Sequence, residues 1–270
     1  MPELPEVEVC RLGILPHLKN NRVKDVIIRN ARLRWPIPEE IKTVIGQKVE
    51  NIERRSKYLL LRFSAGTLLI HLGMSGTIRI INSDVEVTKH DHFDLVLNTE
   101  KVLRLNDPRR FGAVLWFENH IDQQGLLSKL GPEPLSDEFS AGYLFNKAKN
   151  RKVSIKTFLM NNHIVVGVGN IYANEALFKA GIHPATPAGK ISAEKFDELT
   201  LIIKEVLSAA IKQGGTTLKD FTQVDGKPGY FAQALMVYGR AGKSCVTCSA
   251  TLEEIKQAGR SSVFCPHCQQ

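Results

Sequence analysis

The stretch YLLLRFSAGTLLIHL, residues 58–72, sets two short apolar runs, Tyr58 to Phe63 and Thr67 to Leu72, on either side of the turn residues Ala65 and Gly66. Runs of this length bounded by turn residues read as β-strands, because a pleated strand crosses a small sheet in about five or six residues. The pattern recurs at Phe93 to Leu97, Val102 to Leu105 and Ala113 to Phe117, with Asn98 and Thr99 as a further turn. Short strands at close intervals predict a β-sandwich or a barrel. Upstream, Leu4, Val7, Ile14 and Leu18 lie at roughly helical spacing, so an amphipathic helix is expected to lead into the strands. Pro16 is expected to break or bend it.

Downstream the period changes. Gly131-Pro132-Glu133-Pro134-Leu135-Ser136-Asp137 reads as a linker, since its two prolines discourage both helix and ladder. Beyond it, Phe196, Leu199, Ile203, Val206 and Ala210 share one helical face, with Ser192 as the N-cap and Gly214-Gly215 as the stop. No internal repeat or low-complexity segment interrupts the chain.

A chain of 270 residues with 43% hydrophobic content can fill more than one core. Its 36 Lys and Arg against 28 Asp and Glu give a net charge of +8, which favours an anionic partner. The start is acidic where a secretory signal would be positive, and no apolar run approaches membrane-spanning length. A cytoplasmic protein without membrane partners is therefore expected.

Three groups of residues carry chemistry. The pairs Cys245/Cys248 and Cys265/Cys268 have the spacing of a four-thiolate metal site, each pair supplying two corners of a tetrahedron. A rubredoxin-like iron centre uses the same ligands. One structural Zn2+ is preferred, because nothing else in the chain suggests electron transfer; it would hold up the hairpin that carries Arg260. Cys10, the fifth cysteine, reads as a small buried hydrophobe.

The second group is basic or glycine-rich. Val166-Gly167-Val168-Gly169-Asn170 delivers a glycine turn to a helix N-terminus, a ready anion site. Lys147, Lys149, Arg151 and Lys152 form one basic run. Arg109 and Arg110 stand beside Phe111 in a proline and glycine turn, an arrangement that solvation alone explains poorly and that suits a wedge into DNA.

The third group is the start itself. A small second residue such as Pro2 allows Met1 to be removed, leaving a free secondary amine beside Glu3. With an α-amino pKa near 8, roughly a tenth of such a terminus is unprotonated at pH 7, far more than an ordinary lysine, so it can attack an aldehyde carbon. Its iminium product carries its charge without protonation and is a good electron sink.

Pro2-Glu3-Leu4-Pro5-Glu6-Val7-Glu8, Lys57, the Asp107 to Gly112 turn, the Gly167 to Glu175 segment and the four cysteines, in this order, resemble the formamidopyrimidine-DNA glycosylase family over essentially the whole chain. The resemblance implies an α+β multidomain fold. Residues 1–131 would form an N-terminal β-sandwich with a leading helix, 132–238 a helical domain with a helix-two-turn-helix motif, and 239–270 a zinc β-hairpin, with DNA in the cleft. It implies a monomeric repair enzyme, nucleoid-associated through its substrate, acting on double-stranded DNA that contains oxidised bases or abasic sites.

The resemblance also implies roles. Pro2 would be the Schiff-base nucleophile at the sugar C1′, and Glu3 the acid that assists base loss and ring opening. Lys57 would lie near the lesion's phosphates and assist the first elimination. Arg260 and Asn170 would clamp the phosphates flanking the flipped nucleotide, Arg260 also serving the second elimination. His71, His90 and Arg151 match further DNA contacts. Met74, Arg109 and Phe111 match the trio that fills the vacated space, where apolar wedges and an arginine on the orphaned base offset the cost of unstacking. Gly214 to Tyr230, with Thr216, Thr217 and Lys219, matches the loop over the extruded base. Two other readings share parts of the pattern: an endonuclease VIII-like enzyme for oxidised pyrimidines, and a non-catalytic zinc-hairpin DNA-binding protein, which would leave Pro2, Glu3 and Lys57 without purpose.

Overall fold

The computed structural model describes residues 2–118, 125–216, 224 and 231–270. The chain divides into two compact units: residues 1–128 with 213–232, and residues 129–212 with 233–270.

The first unit opens with helix α1, Leu4–Leu18. Its N-terminus is a capping box: the Glu3 side chain accepts from the backbone of Glu6, and Glu6 accepts from the Glu3 N–H at 2.8 Å. Of the two effects expected of Pro16, a break does not occur: the helix runs through it to Leu18. It lies in the last turn, where the missing N–H would have bonded the carbonyl of Leu12, an exposed residue, so the loss costs little.

Eight strands follow: β1 (Val23–Ile28), β2 (Asn51–Arg55), β3 (Tyr58–Phe63), β4 (Gly66–His71), β5 (Thr77–Asn82), β6 (Asp91–Leu97), β7 (Lys101–Asn106) and β8 (Ala113–Phe117). They form two separate antiparallel sheets, β2-β3-β4-β8 and β1-β6-β7-β5, and hence a sandwich rather than a barrel. Leu59, Leu61, Leu68 and Ile70 from one sheet share a core with Phe93, Leu95, Leu103 and Leu105 from the other, and α1 adds Val7, Cys10, Ile14 and Leu18. Each of the aliphatic side chains among these stabilises the unit by about 2 kcal/mol relative to exposure, so the core pins both sheets and helix α1.

The second unit holds α2 (Ala141–Ala148), α3 (Ile155–Leu159), α4 (Asn170–Lys179), α5 (Ala193–Lys212) and the hairpin β9 (Glu253–Gln257) and β10 (Arg260–Phe264). Ser192 caps α5, its Oγ accepting from the Lys195 N–H at 3.3 Å. Phe196 packs edge-on against Phe145 of α2 at 6.2 Å. The proline-rich stretch after Leu130 is bonded into this unit: Gly131 donates to the Asn162 carbonyl at 2.8 Å, and the Pro132 carbonyl accepts from Val166 at 3.2 Å. Among the described residues, no helix is long and apolar enough to cross a membrane.

Candidate active site and nucleic-acid interface

In the first unit, Pro2 and Glu3 are both buried, Glu3 with only 2% of its surface exposed. The capping box therefore holds Glu3, the residue beside Pro2, by both its side chain and its backbone N–H. Glu6 does more than cap. Its second oxygen accepts from the Thr216 N–H at 2.8 Å, and Gly215 approaches so closely that a Cβ there would lie 3.1 Å from Glu6 Oε1. Gly214 and Gly215 take φ values of 76° and 80°, a conformation that glycine adopts without strain. One buried carboxylate thus ties the start of α1 to the segment after α5. Lys219, Thr217 and Tyr230 lie outside the described residues.

Lys57 sits in the tight β2–β3 turn, whose Ser56 has a φ of 57°. Arg54 braces that turn, donating to the Ser56 carbonyl at 3.0 Å and to Glu8 of α1 at 2.9 Å. Glu8 also pairs with Arg11 at 2.7 Å; together the two guanidinium groups outweigh its burial and hold its carboxyl below the usual range. Lys57 acts electrostatically on His71, which ends β4 opposite Tyr58 with the rings 5.0 Å apart. Burial first, then the positive charges of Lys57 and Arg34, push the His71 pKa down to about 4. Its Nδ1 accepts from the Gly73 N–H at 3.1 Å, so the neutral ring carries its proton on Nε2 and offers a donor there.

Met74 is 37% exposed in the turn after β4, and Phe111 is 46% exposed in the turn before β8. The guanidinium of exposed Arg109 lies 4.9 Å from the Phe111 ring centroid. Two apolar side chains and a cation thus project from neighbouring turns of a rigid sheet. His90 is half-buried just before β6, and its carbonyl accepts from Asp107 at 2.9 Å.

In the second unit, Gly169 caps α4 and Asn170 is its first residue. Among the described residues, the Asn170 Oδ1 is buried without a hydrogen-bond partner. Arg260 is exposed at the start of β10, after a turn in which Ala258 and Gly259 have φ of 47° and 73°. Two residues that sequence reasoning missed mount these groups on one frame. Asn174 donates to the Asn170 carbonyl at 2.6 Å and accepts from the Val263 N–H at 2.9 Å. Lys156, 1% exposed, donates to the Ser261 carbonyl at 2.6 Å and to Ser262 Oγ at 2.7 Å. Arg151 is exposed, its Nε 3.4 Å from the Lys147 carbonyl.

The Sγ atoms of Cys245, Cys248, Cys265 and Cys268 all lie within 4.8 Å of one another, with Cys245 and Cys268 at 3.9 Å and Cys248 and Cys265 at 3.4 Å. A tetrahedral zinc bound at about 2.3 Å to each sulfur requires edges of about 3.8 Å, so the donor set fits. Backbone N–H groups of Thr247 and Cys268 donate to Cys245 and Cys265 sulfurs at 3.4 Å each, which favours thiolates. Four protein ligands leave no open position, so such an ion is structural.

The chain matches the formamidopyrimidine-DNA glycosylase N-terminal domain over residues 1–114, the H2TH domain of that enzyme over 130–222, and the zinc finger found in FPG and IleRS over 242–270. It is 72% identical to the formamidopyrimidine-DNA glycosylase of Colwellia psychrerythraea over 270 residues, the whole of both chains. The chain belongs to the formamidopyrimidine-DNA glycosylase family. The Shewanella pealeana member is 60% identical, again over all of both chains. Among solved structures, the MutM (FPG) protein of Thermus thermophilus has a TM-score of 0.88 at 36% identity, covering 99% of this chain and 98% of that one. A Lactococcus lactis FPG mutant in complex with Fapy-dG-containing DNA has a TM-score of 0.93 at 32% identity, covering all of both. The chain is thus a DNA-repair glycosylase with the sandwich, H2TH and zinc-finger architecture of its family, and the zinc-finger match resolves the choice between zinc and iron.

Proposed function

We propose that this glycosylase excises oxidised purines, 8-oxoguanine and formamidopyrimidines, from double-stranded DNA and then cuts the strand by successive β- and δ-elimination through a Schiff base on Pro2. The observation that supports this reading is the buried Pro2-Glu3 pair at a capped helix start, where removal of Met1 would leave a secondary amine next in sequence to a carboxyl-bearing residue.

Once Met1 is removed, the Pro2 nitrogen lone pair attacks the sugar C1′. The bond from C1′ to the base breaks, and Glu3 supplies the proton that assists departure of the base and opening of the ring at O4′. The proton that the attacking amine loses recharges Glu3 between these two protonations, and the product is an iminium at C1′. Loss of a C2′ proton sends its electron pair toward the iminium and expels the 3′ phosphate, and a second elimination expels the 5′ phosphate. Hydrolysis returns the amine.

Lys57 lies near the lesion's phosphates and assists the first elimination. Arg260 and Asn170 clamp the flanking phosphates, and Arg260 serves the second elimination. His71, as a neutral donor, His90 and Arg151 add DNA contacts, while Lys219 belongs to the loop over the extruded base. Met74 and Phe111 fill the space left by the flipped nucleotide, and Arg109 bonds the orphaned base, offsetting an unstacking cost of a few kcal/mol. Zinc held by the four cysteines supplies local folding energy to the hairpin bearing Arg260 and takes no part in the reaction.

The test is single-turnover strand scission on duplexes bearing 8-oxoguanine, an oxidised pyrimidine or a pre-formed abasic site. The wild-type protein is expected to favour 8-oxoguanine over the pyrimidine. Glu3→Gln should nearly abolish excision of 8-oxoguanine yet keep substantial cleavage at the abasic site, whose ring-opened aldehyde condenses with Pro2 directly. Equal loss of both activities in a folded, DNA-bound variant would refute this division of labour and place Glu3 in the imine chemistry.

A further inference from the structure

The two turns that carry Met74 and the Arg109/Phe111 pair are well separated in sequence, yet they meet backbone to backbone. A Cβ added at Gly73, whose φ is 63°, would lie 2.4 Å from the Phe111 carbonyl carbon and 2.5 Å from the Gly112 nitrogen. What joins them chemically is Asp107, 0% exposed. One of its carboxylate oxygens accepts from the Gly112 N–H at 2.7 Å, closing the turn that bears Arg109 and Phe111. The other accepts from the Ser75 hydroxyl at 2.9 Å, across to the turn that bears Met74. Its carbonyl is held in turn by buried His92, which donates from Nε2 at 3.0 Å.

Burying a carboxylate is costly unless its oxygens are hydrogen-bonded, and here each oxygen has a buried donor. Among the described residues, Asp107 has no ion-pair partner within salt-bridge distance. What its two oxygens provide is a side-chain link between the two turns where they meet. We infer that Asp107 is the positioning residue that locks both turns into one preassembled wedge, so that Met74, Arg109 and Phe111 enter DNA as a unit. This rests on the wedge reading of those three residues. Preassembly matters because a wedge ordered only on insertion would spend part of its stacking energy on its own ordering. It also fixes where the Arg109 donors meet the orphaned base, and hence which base they select.

The experiment measures single-turnover excision of 8-oxoguanine opposite cytosine and opposite adenine, and reads the ratio of the two rates. Ser75→Ala removes one link and should shrink the ratio about fivefold, the effect of one hydrogen bond. Asp107→Ser, too short to reach either partner, should shrink it further. Asp107→Asn can still accept from Gly112 and donate to Ser75, so it should stay within about twofold of wild type. Arg109→Ala is the reference for loss of base selection. A merely structural role would lower both rates together and leave the ratio alone. If Arg109→Ala changes the ratio while Ser75→Ala and Asp107→Ser do not, the clamp is overturned and the wedge stands. If Arg109→Ala itself leaves the ratio at the wild-type value, the wedge reading falls and the clamp with it.

Discussion

Acidification tests the environment of His71 directly. The ring titrates near 6.5 in the unfolded chain and at about 4 in the folded one, chiefly because burial disfavours the imidazolium and secondarily because Lys57 and Arg34 repel it. Below pH 6.5 the unfolded chain takes up a proton that the folded chain refuses, so stability that is intact above 6.5 drains away as pH falls toward 4. At pH 5 the difference amounts to about 2 kcal/mol, an upper bound because the ring keeps some exposure. The Glu8 contribution is intact above its ordinary carboxyl pKa and is lost only at still lower pH, so the two effects separate. Trp35 and Trp116, the two tryptophans of the chain, both lie in the first unit and report its unfolding alone. Denaturant unfolding followed by tryptophan fluorescence at about pH 7.5 and about pH 5 should show wild type losing about 1–2 kcal/mol more than His71→Gln, half to all of that bound. Equal losses, or an NMR titration of His71 with a midpoint near 6.5, would refute a buried neutral ring.

Two further outcomes follow from the second unit and the phosphate contacts. Metal analysis should find one zinc per chain, and chelation should abolish DNA binding while the tryptophan-reported transition of the first unit survives, because zinc contributes local folding energy; active protein without zinc would contradict this. Truncating Lys57 or Arg260 should weaken binding to damaged and undamaged duplexes alike and make the salt dependence shallower by about one unit of slope each, whereas truncating Asn170, an uncharged donor, should weaken binding with the slope unchanged.

Much of the architecture could be read from residue pattern. The runs around Ala65-Gly66 are β3 and β4, the face from Phe196 to Ala210 is α5 with Ser192 at its cap, and the cysteine spacing brings four sulfurs together. These features are local: period, cap and pair spacing depend on neighbours in sequence. Pro16 does not break α1 because a proline's cost depends on which carbonyl loses its partner, and here that carbonyl belongs to the exposed Leu12. The family resemblance decided for the sandwich that is found; strand pattern alone left sandwich and barrel open, since the choice turns on whether the edge strands pair with one another. The braces around the candidate site were invisible for the same reason. Glu6 meets Thr216, Lys156 meets Ser261, and Asp107 meets Ser75 across 210, 105 and 32 residues. Lys156 in particular reads as one more solvated cation, because nothing in the sequence marks a lysine whose ammonium finds buried oxygens.

The proposed chemistry runs through a covalent imine between the Pro2 amine and the damaged nucleotide. Borohydride reduction during reaction with a duplex containing 8-oxoguanine, followed by proteolysis and mass spectrometry of the cross-linked peptide, tests it most directly. The expected adduct is on the nitrogen of Pro2 in chains that have lost Met1, and none should form in chains that retain it. An adduct mapped to a lysine side chain, or base excision without any trapped complex, would contradict the claim.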